Sequence, residues 1–94
     1  MRIVGRQKLD DFAATHADAR PWIENWLADA EQARWHSPHD IKNSYASASF
    51  LTGNVVYFNV KGNRFRLEVL VAYESGAVFV RWMGTHAEYT KRMN

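Results

Sequence analysis

The sequence predicts a single α+β domain in which two helices precede a three-stranded antiparallel meander. Apolar residues recur at helix spacing from residue 7 to residue 31 and alternate with polar residues from residue 55 to residue 83. Two short turns that contain glycine divide the alternating stretch into three strands. With 94 residues and 47% hydrophobic side chains the chain can build one core, so residues 1–94 are expected to form one domain.

The N-terminal segment is predicted to form a short strand and a first helix. The run Arg2-Ile3-Val4 is short and β-branched, which is typical of a strand, and Gly5 ends it. From residue 7 to residue 16 the apolar positions follow the i, i+3, i+4 spacing of one helix face: Leu9, Phe12 and Ala13.

A second helix is predicted to begin near Pro21, because the first helical turn does not need the N–H that proline lacks. Its apolar stripe is wide: Trp22, Ile23, Trp26, Leu27 and Ala30. We expect the two tryptophans to pack against a sheet rather than bind a ligand. Residues 35–50 are expected to be irregular, with a short helical turn at Ser37–Asp40 and a polar connector at 44–49.

Two turns set the predicted register of the meander. Gly62-Asn63 is typical of a two-residue hairpin, because both residue types tolerate positive φ, and it pairs Asn59 with Arg66. Ser75-Gly76 is assigned the second turn, which pairs Glu74 with Ala77 and Leu70 with Arg81. After the third strand we expect a short C-terminal helix or tail.

This register separates an apolar face from a polar face. The apolar face, which both helices are expected to cover, collects Val56, Phe58, Val60, Phe65, Leu67, Val69, Val71, Tyr73, Val78, Val80 and Trp82. The other face collects Tyr57, Asn59, Lys61, Arg64, Arg66, Glu68, Leu70, Phe79, Arg81 and Met83. A slip of one residue in either turn would mix the two sets.

Charge and composition narrow the classes of function. Residues 51–94 contain six Lys/Arg and three Asp/Glu, whereas residues 1–50 contain six and seven, an asymmetry typical of a sheet face that binds phosphates. Cysteine is absent, which excludes disulfides and thiolate metal sites and favours a reducing compartment. No apolar run approaches the roughly 20 residues that span a membrane. Because Met1–Arg6 is also too short and charged for a signal peptide, we expect a soluble cytoplasmic protein.

Four residues could carry phosphodiester chemistry. Arg66 and Arg81 share the polar face, and two converging guanidinium groups can hold a phosphate and stabilise its pentavalent state. His86 can exchange a proton near neutral pH. Thr85 and Glu88 have the spacing of a capping box, which would place His86 and Tyr89 on one helix face. The alternative is two solvated arginines, a surface histidine and a packing tyrosine.

The sequence offers no conventional cofactor or metal motif. Walker, Rossmann and zinc patterns are missing, and Glu68 is the one carboxylate on the basic face. A nuclease built this way would need neither metal nor cofactor. It would activate the RNA 2′-hydroxyl against the adjacent phosphate and leave a cyclic phosphate.

The C-terminal motifs resemble those of the HigB-type toxins of bacterial toxin–antitoxin systems. The resemblance is carried by Val56–Val60, Gly62-Asn63, Arg66, Val80-Arg81 and Thr85-His86-x-Glu88-Tyr89. It implies a RelE-like fold, cleavage of mRNA on the translating ribosome and growth arrest. It also implies neutralisation by a HigA-type helix-turn-helix antitoxin, with DNA bound only through the toxin–antitoxin complex.

Site residues follow from the resemblance at the matching motif positions: Asn59, Arg66, Arg81, Thr85, His86 and Tyr89. Lys61, Arg64 and Lys91 are assigned supporting contacts to RNA, and the choice of acid and base between His86 and Tyr89 stays open. Two other functions remain open as well. One is a toxin of the same fold that acts on a protein such as DNA gyrase, and the other is a non-catalytic RNA-binding module that stacks bases on Tyr57 and Phe79.

Overall fold

The computed structural model describes residues 1–93 and contains one mixed sheet of five strands in the order β1-β5-β4-β3-β2. The strands are β1 (Arg2–Val4), β2 (Ser49–Leu51), β3 (Val55–Val60), β4 (Phe65–Ala72) and β5 (Ala77–Thr85). All neighbouring strands are antiparallel except β1, which runs parallel to β5. The predicted meander is therefore the centre of a larger sheet, because the segments on either side of it add an edge strand each.

Four α-helices lie within the described residues: α1 (Arg6–Thr15), α2 (Arg20–Gln32), α3 (Pro38–Ser44) and α4 (His86–Met93). Gly5 joins β1 to α1 with a φ of 91°, in the left-handed region, and a Cβ there would lie 2.8 Å from the Val80 carbonyl oxygen. Glycine is thus required where the chain leaves β1. No helix in the described part of the chain is long and apolar enough to cross a membrane.

The core lies between α1, α2, α3 and one face of the sheet. Trp26 of α2 is 1% exposed and meets the Phe58 ring edge-on, with the ring centroids 5.6 Å apart. Nine of the strand residues predicted for the apolar face are buried in this cluster: Val56, Phe58, Val60, Phe65, Leu67, Val69, Val71, Val78 and Val80. Burial of each large apolar side chain contributes about 1.5–3 kcal/mol. The predicted packing against the sheet is confirmed for Trp26, whereas Trp22 stacks on Trp26.

The segment from residue 35 to residue 50 is more regular than expected. It forms α3, whose Ile41 is fully buried, and then β2, which pairs with β3 from Ser49 to Leu51. The predicted helical turn at Ser37–Asp40 is confirmed as the start of α3, whereas the prediction of an otherwise irregular segment with a polar connector was wrong. An edge strand of three residues is too short to show an alternating pattern, and its stability comes from the pairing with β3.

The first turn has the predicted register and the second does not. Asn59 pairs with Arg66 as predicted, although the left-handed residues are Lys61 and Gly62 rather than Gly62 and Asn63. In the second hairpin Leu70 pairs with Phe79 instead of Arg81, and Ala77 pairs with Ala72 instead of Glu74. The physical reason is a longer turn, which is closed by the Gly76 N–H donating to the Ala72 carbonyl at 2.9 Å.

A β-bulge at Arg81 then reverses the faces at the end of β5. Val80 pairs with Val69 and Trp82 pairs with Glu68, so Arg81 has no partner in the ladder. Beyond the bulge Trp82 lies on the same face as Glu68, and Met83 packs against the core. The sequence prediction had placed Trp82 inside and Met83 outside, and both placements were wrong for this reason.

Candidate functional site

The sheet face opposite α1–α3 carries the candidate site, and we call it the open face. The site lies in the half of this face that contains Tyr57 and Asn59 of β3, Arg66 and Glu68 of β4, and Trp82 of β5, and the other half contains Leu70 and Phe79. Helix α4 lies over the half of this face that contains Arg66 and Glu68, as the contacts of Tyr89 and Arg92 show. The predicted C-terminal helix or tail is therefore a helix, and it folds back over the site.

A capping box fixes the start of α4. The Glu88 N–H donates to Thr85 Oγ1 at 3.2 Å, and the Thr85 N–H donates to the Glu88 carboxylate at 2.8 Å. The hydrogen bond from the Thr85 backbone holds the pKa of Glu88 below its usual value, because it stabilises the charged carboxylate. The predicted capping box is confirmed. It directs His86 and Tyr89 to neighbouring positions, with ring centroids 6.4 Å apart.

Arg66 is held beneath Tyr89. Its side chain donates to the Phe65 carbonyl at 3.1 Å and to Asn63 Oδ1 at 3.3 Å, and its guanidinium carbon lies 5.0 Å from the centre of the Tyr89 ring. The residue is only 8% exposed. A guanidinium group has five N–H donors, so these two bonds leave donors for a further acceptor.

Arg81 is the exposed counterpart of Arg66. The bulge carries its side chain to Glu68, where Nε lies 3.4 Å from Oε2, and about half of the Arg81 side chain is exposed. The two arginines thus lie on the same face, as predicted, but they are held by different partners. Arg66 is fixed by Tyr89 and by backbone, whereas Arg81 is fixed by a carboxylate.

Glu68 organises the floor of the site. The residue is 4% exposed. Its carboxylate accepts hydrogen bonds from Arg92 at 3.1 Å and 3.0 Å and from the Tyr57 hydroxyl, and it forms an ion pair with Arg81. Burial and the bond to Glu68 raise the pKa of Tyr57. The Tyr57 ring also meets the Tyr89 ring edge-on, with centroids 5.1 Å apart.

The indole of Trp82 lies against Gly84 and beneath Arg92. The Arg92 guanidinium carbon is 4.8 Å from the ring centre, and a Cβ on Gly84 would approach the ring at 2.6 Å from Cη2. Glycine at position 84 therefore makes room for the ring. Together Glu68 and Trp82 form the surface on which Arg92 anchors the end of α4.

The other predicted site residues surround this centre. Asn59 is half-buried beside Arg66, Lys61 is exposed in the first turn, and Lys91 is exposed on α4. Arg64 lies in the same turn as Lys61 but is paired with Asp18 at 2.7 Å. Both side chains of this pair are exposed, so Arg64, like Arg81, would exchange a carboxylate for a phosphate on binding RNA.

Sequence reasoning did not assign Arg92, Trp82 or Asn63 to the site, and it gave Tyr57 a role only in the alternative RNA-binding module. Glu68 was noted as the one carboxylate on the basic face, and it is the single carboxylate within the three meander strands. That isolation is a signal for a buried counter-ion, since a lone acid on a basic face is a natural partner for several cations. Within residues 1–93, no three histidine, aspartate or glutamate side chains form a group that could bind a metal.

Comparison with known families decides the class of the protein. A family model described as the HigB toxin, a RelE-like toxic component of a toxin–antitoxin system, matches residues 19–92. The chain belongs to the HigB toxin family. No curated protein matches the chain. The match to the HigB family runs from the start of α2 almost to the end of α4 and includes every candidate site residue.

Membership confirms two of the expectations drawn from the sequence motifs. The protein is the toxic component of a toxin–antitoxin system, and it has an antitoxin as its partner. The mixed sheet with four helices is compatible with a RelE-like α+β fold.

Proposed function

We propose that this HigB-family toxin is a metal-independent endoribonuclease that cleaves mRNA on the translating ribosome in the cytoplasm and so arrests translation and growth. One observation carries the proposal: Arg66 and Arg81 share the open face, and α4 brings Tyr89 onto Arg66 with His86 beside it. Cationic donors and proton-exchanging groups are thus placed together on one basic surface. The partners in this proposal are the ribosome and a HigA-type helix-turn-helix antitoxin. The toxin contacts DNA only through its complex with that antitoxin.

Arg66 and Arg81 are proposed to bind the scissile phosphate. The charge developing on the phosphate oxygens in the pentavalent state is stabilised most by donors that are already fixed before RNA arrives. Arg66 meets this condition, because Asn63 and a backbone carbonyl fix its guanidinium. Arg81 is exposed and can exchange Glu68 for the phosphate.

Proton transfer is proposed to involve His86 and Tyr89. In the reaction the 2′-oxygen attacks phosphorus, the bond to the 5′-oxygen breaks, and a 2′,3′-cyclic phosphate and a 5′-hydroxyl result. The 2′-hydroxyl proton must be accepted and the 5′-oxygen must gain one. His86 is exposed at the first turn of α4, where it can reach a bound nucleotide, and Tyr89 adjoins the phosphate-binding arginine.

Helix α4 must also admit the RNA. None of its residues is buried, and it is anchored mainly by Tyr89 and Arg92. We therefore expect α4 to shift on RNA binding so that a phosphate oxygen reaches the free donors of Arg66. Lys61 in the first turn and Lys91 on α4 are exposed and would bind neighbouring phosphates.

Primer extension on transcripts from induced cells tests the proposal. Induction of the toxin without its antitoxin should produce cuts within translated regions. Arg66→Ala and His86→Ala should abolish the cuts and relieve growth arrest while circular dichroism shows a folded protein. Arg20→Ala, which removes an exposed arginine from α2, is the matched control and should cleave as wild type does.

Three results would contradict this function. Intact transcripts together with DNA-damage signalling would identify a protein target such as gyrase. Full toxicity of both Arg66→Ala and His86→Ala would remove the proposed site. RNA binding by a protein that makes no cuts would leave a non-catalytic RNA-binding module.

A further inference from the structure

The half of the open face that α4 does not cover carries an apolar row across the whole sheet. The register pairs Leu51 with Val55, Val55 with Leu70, Leu70 with Phe79 and Phe79 with Val4. Each strand thus contributes one apolar residue, and paired residues lie on the same face of a sheet. With strands about 4.8 Å apart, the row is about 19 Å long. We call these five residues the apolar row.

The apolar row is separate from the hydrophobic core. None of its five members belongs to the core cluster found among the described residues. Val4 and Leu51 at its ends are 38% and 42% exposed, and Val55, Leu70 and Phe79 between them are partly exposed. A contiguous exposed apolar surface is typical of an interaction site, whereas single apolar residues scattered over a surface are not.

Basic side chains flank the row on both sides. Arg2 lies beyond it at the edge of the sheet, on the strand position paired with Ala77. Arg81 and Arg92 lie on the other side, where their side chains are 48% and 40% exposed. The neighbouring carboxylate, Glu68, is buried and already binds both of these arginines. The surface is therefore apolar along its axis and cationic at its margins.

We infer that the apolar row is the docking surface for the antitoxin, and that it binds an antitoxin segment whose apolar side chains are flanked by Asp and Glu. Family membership supplies the partner, and charge complementarity supplies the chemistry of its segment. A segment seated there meets Arg81 and Arg92, so it lies against the end of α4 and the exposed phosphate-binding arginine. Binding at the row would thereby block access to the site.

Antitoxin escape tests this inference, which rests on family membership and not on mRNA cleavage. Leu70→Glu places a carboxylate at the centre of the row, and Leu51→Glu places one at its exposed end. Each variant should arrest growth like wild type when expressed alone and should resist rescue by the cognate antitoxin. Binding of the antitoxin, measured by titration calorimetry, should weaken at least about 30-fold for Leu70→Glu, as at the centre of a desolvated interface.

Ala28→Glu is the matched control, because Ala28 is exposed on α2, which packs on the other face of the sheet. It should be rescued normally and should bind with unchanged affinity. Retained toxicity shows that a row variant is folded, and if Leu70→Glu is not toxic because it unfolds, Leu51→Glu decides alone.

Three outcomes would overturn the inference. In the first, the row variants are rescued and bind the antitoxin as wild type does. In the second, folded row variants lose toxicity yet keep their affinity for the antitoxin, which would assign the row to the toxin's target. In the third, the free toxin sediments as a dimer that the row variants dissociate, which would assign the row to a second copy of this chain.

Discussion

The two faces of the sheet follow different rules. The face toward α1–α3 is uniformly apolar and buried, and its residues keep a strict alternation along β3 and β4. The open face combines a buried carboxylate, two partly exposed arginines, a covered arginine and an apolar row. The first face is determined by burial alone, whereas the second depends on individual contacts and on where one bulge falls. Stability should therefore reside in the first face and activity in the second.

The largest difference is expected between two tryptophans. Trp26→Ala should destabilise the protein by about 3–5 kcal/mol, because it empties a fully packed site in the core. Trp82→Ala should cost about 1 kcal/mol, the size of a partly exposed cation–π contact with Arg92. Urea denaturation of both variants measures the difference. Equal losses would show that the open face contributes to stability as much as the core does.

A smaller effect is expected at Glu68. Glu68→Ala should destabilise the protein by about 1–3 kcal/mol, because it leaves the buried Tyr57 hydroxyl without its acceptor. The contribution of the arginines is reduced by solvent screening, since 40% and 48% of their side chains are exposed. Glu74→Ala in the exposed turn is the control and should change stability by less than about 0.5 kcal/mol. Thermal unfolding followed by circular dichroism measures the stability of both variants. Identical melting curves for Glu68→Ala and Glu74→Ala would show that the contacts of Glu68 do not stabilise the fold.

The smallest effect concerns the anchor of α4. Thr85→Ala should cost about 1 kcal/mol, the usual contribution of a threonine N-cap, and should lower the helicity of α4. Loss of helix signals for residues 86–93 in NMR chemical shifts is the measurement. Unchanged shifts would mean that Tyr89 and Arg92 hold α4 without the cap.

Acidic pH should weaken the same capping box at the start of α4. The folded-state pKa of Glu88 lies below its ordinary value of 4.5, so its contribution is present above that pH and is lost as the pH falls through the folded-state pKa. Wild type should therefore lose stability in this acidic range more steeply than Glu88→Gln does. Urea midpoints measured between pH 6 and pH 3 test this, and parallel curves for the two proteins would contradict it.

The sequence predicted the buried face well because apolar alternation is a direct consequence of burial. The alternating apolar residues from Val56 to Val80 could be assigned to the core without knowing which residues they pack against. Arg81 and Trp82 could not be placed, because the extra residue of a bulge has no mark of its own in the sequence and is recognised only from the pairing with the neighbouring strand. The adjacent apolar residues Trp82 and Met83 were the one local sign that the alternation had slipped.

The site was predicted in part for a related physical reason. The spacing of Thr85 and Glu88 indicated a helix start, and the structure has that capping box. That α4 would fold back onto Arg66 could not be inferred from spacing, since it depends on the contacts that Tyr89 and Arg92 make with distant strands. Local sequence patterns predict local structure, whereas the packing of α4 on the open face depends on contacts between residues that are far apart in the sequence.

The bulge at Arg81 also limits which changes in chain length β5 can accept. Deleting that single residue would restore an uninterrupted ladder and leave Trp82 opposite Glu68, so every later side chain would keep its face. An added residue after Trp82 would instead move the side chains that follow it to the opposite face, and α4 would depart from the wrong side of the sheet. We therefore expect an insertion between residues 82 and 85 to be far more damaging than deletion of Arg81, whereas the exposed turn at Lys61–Arg64 should accept an added residue.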